Sequence, residues 1–191
     1  MTTPILESLG QLVRDCDVLD LRWALIGGLA VSARAEPRFT RDVDICVLVA
    51  DDAGAEATVR ALVGLGYTIE SLVEHQYVDR LATVRLWPPR TDGVVIDLLF
   101  ASSGIEAEIT EDAERLELVA DLAVPVARVA HLVTLKLLAR DDATRPQDAA
   151  DLVALRKVCT PLDEADLLRL AHLVTERGYH RDRDQIGRAS C

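Results

Sequence analysis

Aromatic side chains are scarce, with two Phe, three Tyr and two Trp making up 4% of the 191 residues. Ala, Leu and Val carry most of the apolar load in a chain that is 50% hydrophobic. That balance favours helices packed on a sheet over an aromatic-rich β-sandwich. The four cysteines, Cys16, Cys46, Cys159 and Cys191, include no C-x-x-C pair. Their spacing suggests neither a zinc site nor a disulfide framework and suits a reducing cytoplasm, the expected location. Cys46 sits in an apolar run and reads as a small buried hydrophobe. No apolar run is long enough to span a bilayer, and the N-terminus lacks the basic flank and continuous apolar stretch of a signal peptide. No membrane partner is expected. Basic charge is in deficit, with a formal net charge of -11. This argues against broad non-specific nucleic-acid binding, which needs basic surface. Local patches remain: Arg22, Arg34, Arg38 and Arg41 form one cluster, and Arg177, Arg181, Arg183 and Arg188 another at the C-terminus. Internal repeats and low-complexity segments are absent, as are the P-loop pattern and the G-x-G-x-x-G dinucleotide fingerprint.

The length fits one generous domain, or a small domain with an appendage. Periodicity predicts a first helix opening at Thr3 with Pro4 in its first turn, carrying Ile5, Leu6, Leu9, Leu12 and Val13 on one face. Trp23-Ala24-Leu25-Ile26 reads as a short strand ended by Gly27-Gly28, with a helix over 29–34. Pro37 marks a loop over 36–41. A strand is expected over 42–49, a helix over 53–63, strands over 83–87 and 94–100, and a Pro/Gly-rich turn between the last two. From about Val126 only helices are expected, over 129–140, from a capping box at Thr144-Arg145-Pro146-Gln147 to 158, and over 164–177. The predicted layout is a mixed α/β (α+β) core over 1–125, a helical segment over 126–178 and a polar, mobile tail over 179–191.

Asp97 is the most informative position, because it interrupts the run Val94-Val95-Ile96-Asp97-Leu98-Leu99-Phe100. Burying a carboxylate there costs on the order of several kcal/mol unless it is neutralised or bound. Pairing with an arginine or capping by backbone amides would satisfy it. So would a divalent cation shared with other carboxylates. Asp42 and Asp44 are two apart on a strand, so they point the same way while Val43 points to the core. Alone, an Asp-x-Asp also fits two solvated aspartates opening a strand. Together the three carboxylates fit a site for Mg²⁺, with Mn²⁺ as a substitute, since hard cations take oxygen ligands. Gly27-Gly28 is a plain turn or a place where backbone amides approach a phosphate at a helix N-terminus. Lys136 and Arg140 lie one turn apart and are either a snorkelling pair or two cations facing a cleft. Asp148 falls in a first helical turn, where an acid is favoured anyway.

The run Leu25-Ile26-Gly27-Gly28-Leu29-Ala30, followed by Arg38-Phe39-Thr40-Arg41-Asp42-Val43-Asp44 and the later Asp97, resembles the DNA polymerase β-like nucleotidyltransferase superfamily. More narrowly, the R-x-T-x-D-x-D form resembles the AbiEii-type nucleotidyltransferase toxins of type IV-style toxin–antitoxin and abortive-infection systems. A helix carrying Lys136 and Arg140, then the pair Asp148 and Asp151, matches the same pattern. The resemblance spans about residues 23 to 155. It implies a nucleotidyltransferase-fold mixed sheet flanked by helices, followed by a C-terminal helical segment. It further implies Asp42, Asp44 and Asp97 as catalytic and Mg²⁺-binding residues and Lys136 as catalytic. Gly27, Gly28, Thr40, Arg41, Arg140 and Asp148 would bind the nucleoside triphosphate. The implied partners are an NTP, tRNA as acceptor at its 3′ end, and a cognate antitoxin; the same superfamily also modifies antibiotics and protein hydroxyls. Many members carry serine where this chain has Gly28, so only backbone contacts to phosphate remain at that position.

Overall fold

The computed structural model describes residues 3–75, 80–90, 93–139 and 146–180. In chain order the elements are α1 (Pro4–Val18), β1 (Trp23–Ile26), α2 (Gly27–Arg34), β2 (Asp42–Val47), α3 (Asp52–Gly64), β3 (Thr68–His75), β4 (Arg80–Trp87), β5 (Val95–Leu99), α4 (Glu106–Glu111), β6 (Glu114–Val119), β7 (Leu122–Val126), α5 (Val129–Ala139), α6 (Pro146–Val158) and α7 (Pro161–Glu176). The strands form one mixed sheet in the order β3-β4-β5-β2-β1-β7-β6. β2 runs parallel to β5 and β1 parallel to β7, while the other neighbours are antiparallel.

The side-chain alternation explains how this sheet carries a site. Val43 and Ile45 of β2, Val84 and Leu86 of β4, and Ile96 and Leu98 of β5 are all fully buried. The intervening residues Asp42, Asp44, Arg85 and Asp97 therefore project from the opposite face. Register aligns them: Asp44 stands across from Asp97 on β5, and Asp97 across from Arg85 on β4.

The helices after β7 do not form a separate body. Leu132 and Leu138 of α5, Leu155 of α6, and Leu167, Leu170 and Val174 of α7 belong to the same buried cluster as the strands. Arg34 at the end of α2 ties them down, donating to the carbonyls of Val126 (2.9 Å) and Ala127 (3.0 Å). No helix among the described residues is long and apolar enough to cross a membrane.

Several elements differ from expectation. β3, α4, β6 and β7 escape the sequence pattern: β3 is exposed over residues 68–74, and β7 holds Pro125, which lacks the ladder donor. α2 begins at Gly27 itself rather than at 29. The capping box observed is Thr160 with Asp163 at the start of α7. The one expected at 144–147 begins outside the described residues, as does Arg140. Tyr179, placed by the sequence reading in a mobile tail, is buried against Gly104, where a Cβ would meet its ring at 2.5 Å. Residues 181–191 of that tail lie outside the description.

Candidate active site

A cleft of about 570 Å³ opens on the polar face of β2, β4 and β5, with Gly27, Gly28, Asp42, Asp44, Asp97 and Lys136 in its wall. One oxygen from each of Asp42, Asp44 and Asp97 lies within 4.8 Å of the others. Like charges opposed across strands destabilise a sheet, and the effect is visible at Asp44. Burial of its carboxyl, then the charges of Asp42 and Asp97, push its pKa from 3.8 up to about 7, with Lys136 and the Gly28 amide opposing.

Gly27 shows why glycine ends β1. Its φ is +64°, in the left-handed region, and a Cβ there would lie 1.9 Å from Asp44 Oδ2. The Gly28 backbone N–H lowers the pKa of the Asp44 carboxyl, as the positive end of α2 favours an anion there. A Cβ on Gly28 would lie 2.7 Å from both Arg38 Nη2 and Thr40 Oγ1. The space a side chain on Gly28 would need is thus taken by Arg38 and Thr40.

Thr40 does not line the cleft; its hydroxyl donates to Asp42 Oδ1 (2.9 Å) and fixes that carboxylate. Arg41 is not brought into the cleft either: its guanidinium lies over the Phe39 ring, 5.6 Å from the centroid. Lys136 is one-sixth exposed and reaches both Asp148 Oδ1 (2.7 Å) and Asp151 Oδ2 (2.8 Å). Asp151 is fully buried and also receives Arg38, with Nη2 at 2.9 Å from Oδ2. The loop before β2, α5 and α6 are thereby joined in one charge network beside the cleft.

Arg38, Asp151 and Arg85 were not among the site residues read from the sequence. Arg38 carried a signal as the first residue of R-x-T-x-D-x-D. Arg85 carried a weaker one, the polar-apolar alternation of its strand. Arg85 clasps Asp97 with Nε 2.8 Å from Oδ1 and Nη2 2.7 Å from Oδ2. Of the ways of satisfying Asp97 left open by its sequence, the arginine is present, beside carboxylates close enough to share a cation.

The nucleotidyl transferase AbiEii toxin family, of type IV toxin–antitoxin systems, matches residues 11–190. The chain belongs to the AbiEii family. It is accordingly a nucleotidyltransferase of toxin–antitoxin type. No curated protein matches it in sequence. Solved structures share its fold. The antibiotic-resistance factor ANT(2'')-Ia superposes with a TM-score of 0.54 at 19% identity, covering 90% of this chain and 91% of that one. Lincomycin-bound LnuA, a lincosamide adenylyltransferase, gives 0.50 at 15% identity over 80% of this chain and 97% of its own. An antigenic nucleotidyltransferase-like protein from Paracoccidioides brasiliensis gives 0.51 at 16% identity, over 91% and 94%.

AbiEii membership implies a divalent cation, and the donor set suits one. The clustered ligands are carboxylate oxygens with no thiolate or imidazole among them, the preference of Mg²⁺ or Mn²⁺ rather than zinc. In and beside the cleft, Asp42, Asp44, Asp97, Asp148 and Asp151 face Arg38, Arg85 and Lys136. The excess of two negative charges is what one divalent ion neutralises.

The network around Lys136 makes it structural as well. Lys136→Met removes the ammonium shared by Asp148 and Asp151 while Arg38 still serves Asp151, so the expected cost is about 1–3 kcal/mol. Urea denaturation is expected to show that loss without nucleotide present. Unchanged stability would mean the carboxylates are satisfied elsewhere.

Proposed function

We propose that this AbiEii-family chain transfers a nucleoside monophosphate from an NTP to the 3′ hydroxyl of tRNA, in a reaction dependent on Mg²⁺. The observation that carries the reading is the convergence of the Asp42, Asp44 and Asp97 oxygens within 4.8 Å beside the Gly27–Gly28 turn and Lys136. Asp42, Asp44 and Asp97 would hold the cation, which supplies charge neutralisation for the α-phosphoryl group and its leaving pyrophosphate.

The chain's own residues do the rest. The N-terminus of α2 presents its dipole to the phosphates. Lys136, already beside Asp44, offers its ammonium to the β- and γ-phosphates, with Arg38 against Gly28. Thr40 keeps Asp42 oriented. Asp97 accepts the proton of the acceptor hydroxyl as that oxygen bonds to the α-phosphorus and the bond to pyrophosphate breaks. Rate enhancement comes from positioning and charge neutralisation.

A polyanionic acceptor would meet the part-exposed guanidinium of Arg85 in the cleft wall, while Arg38 and Lys136 are already paired with carboxylates. The fold neighbours that modify antibiotics favour no acceptor for this chain, because that likeness concerns the fold alone. Incubation with Mg²⁺, total cellular RNA and each of four labelled triphosphates is expected to label tRNA. Label appearing only on an added aminoglycoside, a lincosamide or a protein would overturn the acceptor assignment. As a toxin the chain would act with a cognate antitoxin, and growth arrest on expression should be relieved by it.

A further inference from the structure

Arg85 is the cationic residue in the cleft that the reaction above leaves without a task. It occupies the row that runs across the sheet from Asp44 through Asp97 to Arg85 and on to Ser71 of β3. Its fork takes both oxygens of Asp97, at 2.8 and 2.7 Å. Yet an oxygen of the same carboxylate also lies within 4.8 Å of oxygens from Asp42 and Asp44. A guanidinium and a divalent cation drawn to one carboxylate compete for its lone pairs and repel each other.

The pair is also lopsided. The Asp97 side chain is 10% exposed and that of Arg85 41%. On its outer side Arg85 meets Glu70 at 3.9 Å, and Glu70 is 39% exposed. Such a contact is solvent-screened and worth little. When the guanidinium turns from Asp97 toward the cleft mouth, the further contact it gives up is the screened one to Glu70, whereas buried Asp97 cannot follow.

We propose that Arg85 is a positioning residue that holds Asp97 until the acceptor arrives and then exchanges it for a phosphate of the acceptor strand. The proposal rests on reading the cleft as a site of nucleotidyl transfer to nucleic acid. Without acceptor, the fork occupies both oxygens of Asp97, which weakens its grip on a cation and its access to water. A phosphate beside the acceptor hydroxyl offers Arg85 the same two-oxygen geometry as the carboxylate. Once the guanidinium turns to it, Asp97 is free to take the hydroxyl proton. A polycationic acceptor offers no such exchange, so the same residue selects for polyanions.

Wild type, Arg85→Gln and Arg85→Lys are compared in two assays. The first measures Mn²⁺ affinity by calorimetry with neither nucleotide nor RNA present. The second measures kcat and KM for the RNA acceptor. Arg85→Gln is expected to bind Mn²⁺ about tenfold tighter or more, because a competing cation is gone. It should also raise the acceptor KM by about tenfold, the loss of one charge-assisted phosphate contact, with kcat little changed. Arg85→Lys keeps the charge without the fork, so Mn²⁺ affinity should stay near wild type while KM still rises. It also serves should the Gln variant fold poorly.

Equal or weaker Mn²⁺ binding by Arg85→Gln, or an unchanged acceptor KM in either variant, overturns the proposal. A purely structural strand pair would lower Tm and move neither quantity. If wild type binds no Mn²⁺, the cleft reading fails and this inference with it. If wild type binds and transfers but the variants match it, only the inference fails.

Discussion

Asp44→Asn is expected to abolish nucleotidyl transfer, by about 10³-fold or more, while making the ligand-free protein more stable above pH 7. The two effects share a cause. Asp44 faces Asp97 across the β2–β5 ladder with Asp42 on the same face, and its pKa of about 7 records burial first and then the repulsion of those two charges. An amide removes one of the repelling charges and also removes a cation ligand. The pH dependence follows from linkage. The folded pKa lies above the unfolded value of 3.8, so between the two the folded state binds more protons. Stability then falls as pH rises from about 4 to about 7 and is level above that. The slope is at most about 1.4 kcal/mol per pH unit, and less here because Asp44 as a residue is only half-buried. The Asn variant should lack that slope. Thermal melts of both proteins from pH 4 to 8, with the labelling assay in parallel, check the pair of effects. Retained transfer by the Asn variant, or a lower Tm than wild type at pH 8, would contradict this account of the carboxylates.

Gly27→Ala is expected to cost both stability and activity, for a reason independent of charge. A left-handed backbone carries a penalty of about 1–2 kcal/mol for alanine. The added Cβ would also lie 1.9 Å from Asp44 Oδ2, and the next nearest atoms belong to the same side chain. Asp44 must therefore swing away from Asp42 and Asp97, or the first turn of α2 must shift. Displacing a reacting group by about 1 Å can cost on the order of 10²-fold in rate. The expected result is a loss of about 2 kcal/mol or more in urea denaturation and a fall in kcat of about that size. Gly64→Ala is the control, since a Cβ there meets nothing within 4 Å and it ends α3. It should leave both quantities nearly unchanged. Equal behaviour of the two variants would show that the glycine at the β1–α2 junction does not shape the site.

The site was legible where chemistry and periodicity coincide. An aspartate inside an apolar strand, and a pair two apart on another, pointed to one shared place, and register brings them there. The motif order around Gly27-Gly28 fixed the β1–α2–β2 unit for the same reason: short apolar runs bounded by glycine and proline leave few alternatives. What stayed hidden depends on contacts between distant segments. β3 has no buried face to impose alternation, and β6 and β7 pair at a sheet edge with Pro125 breaking the strand signal. Asp151 matched the family pattern but had no role until α6 docks and buries it against Arg38 and Lys136. Arg85 reads as an ordinary exposed position of an amphipathic strand. Only the antiparallel register of β4 on β5 sets it against Asp97. In the other direction, Arg41 matched the family motif but stands over Phe39, away from the cleft.

The most direct measurement is a crystal structure of the chain with Mn²⁺ and a non-hydrolysable triphosphate, read by the anomalous signal of the metal. The expected result is a peak bonded to oxygens of Asp42 and Asp44 at about 2.1–2.2 Å, with the phosphates against Lys136. A map with no peak between Asp42 and Asp44 in the presence of saturating metal and nucleotide would contradict the account.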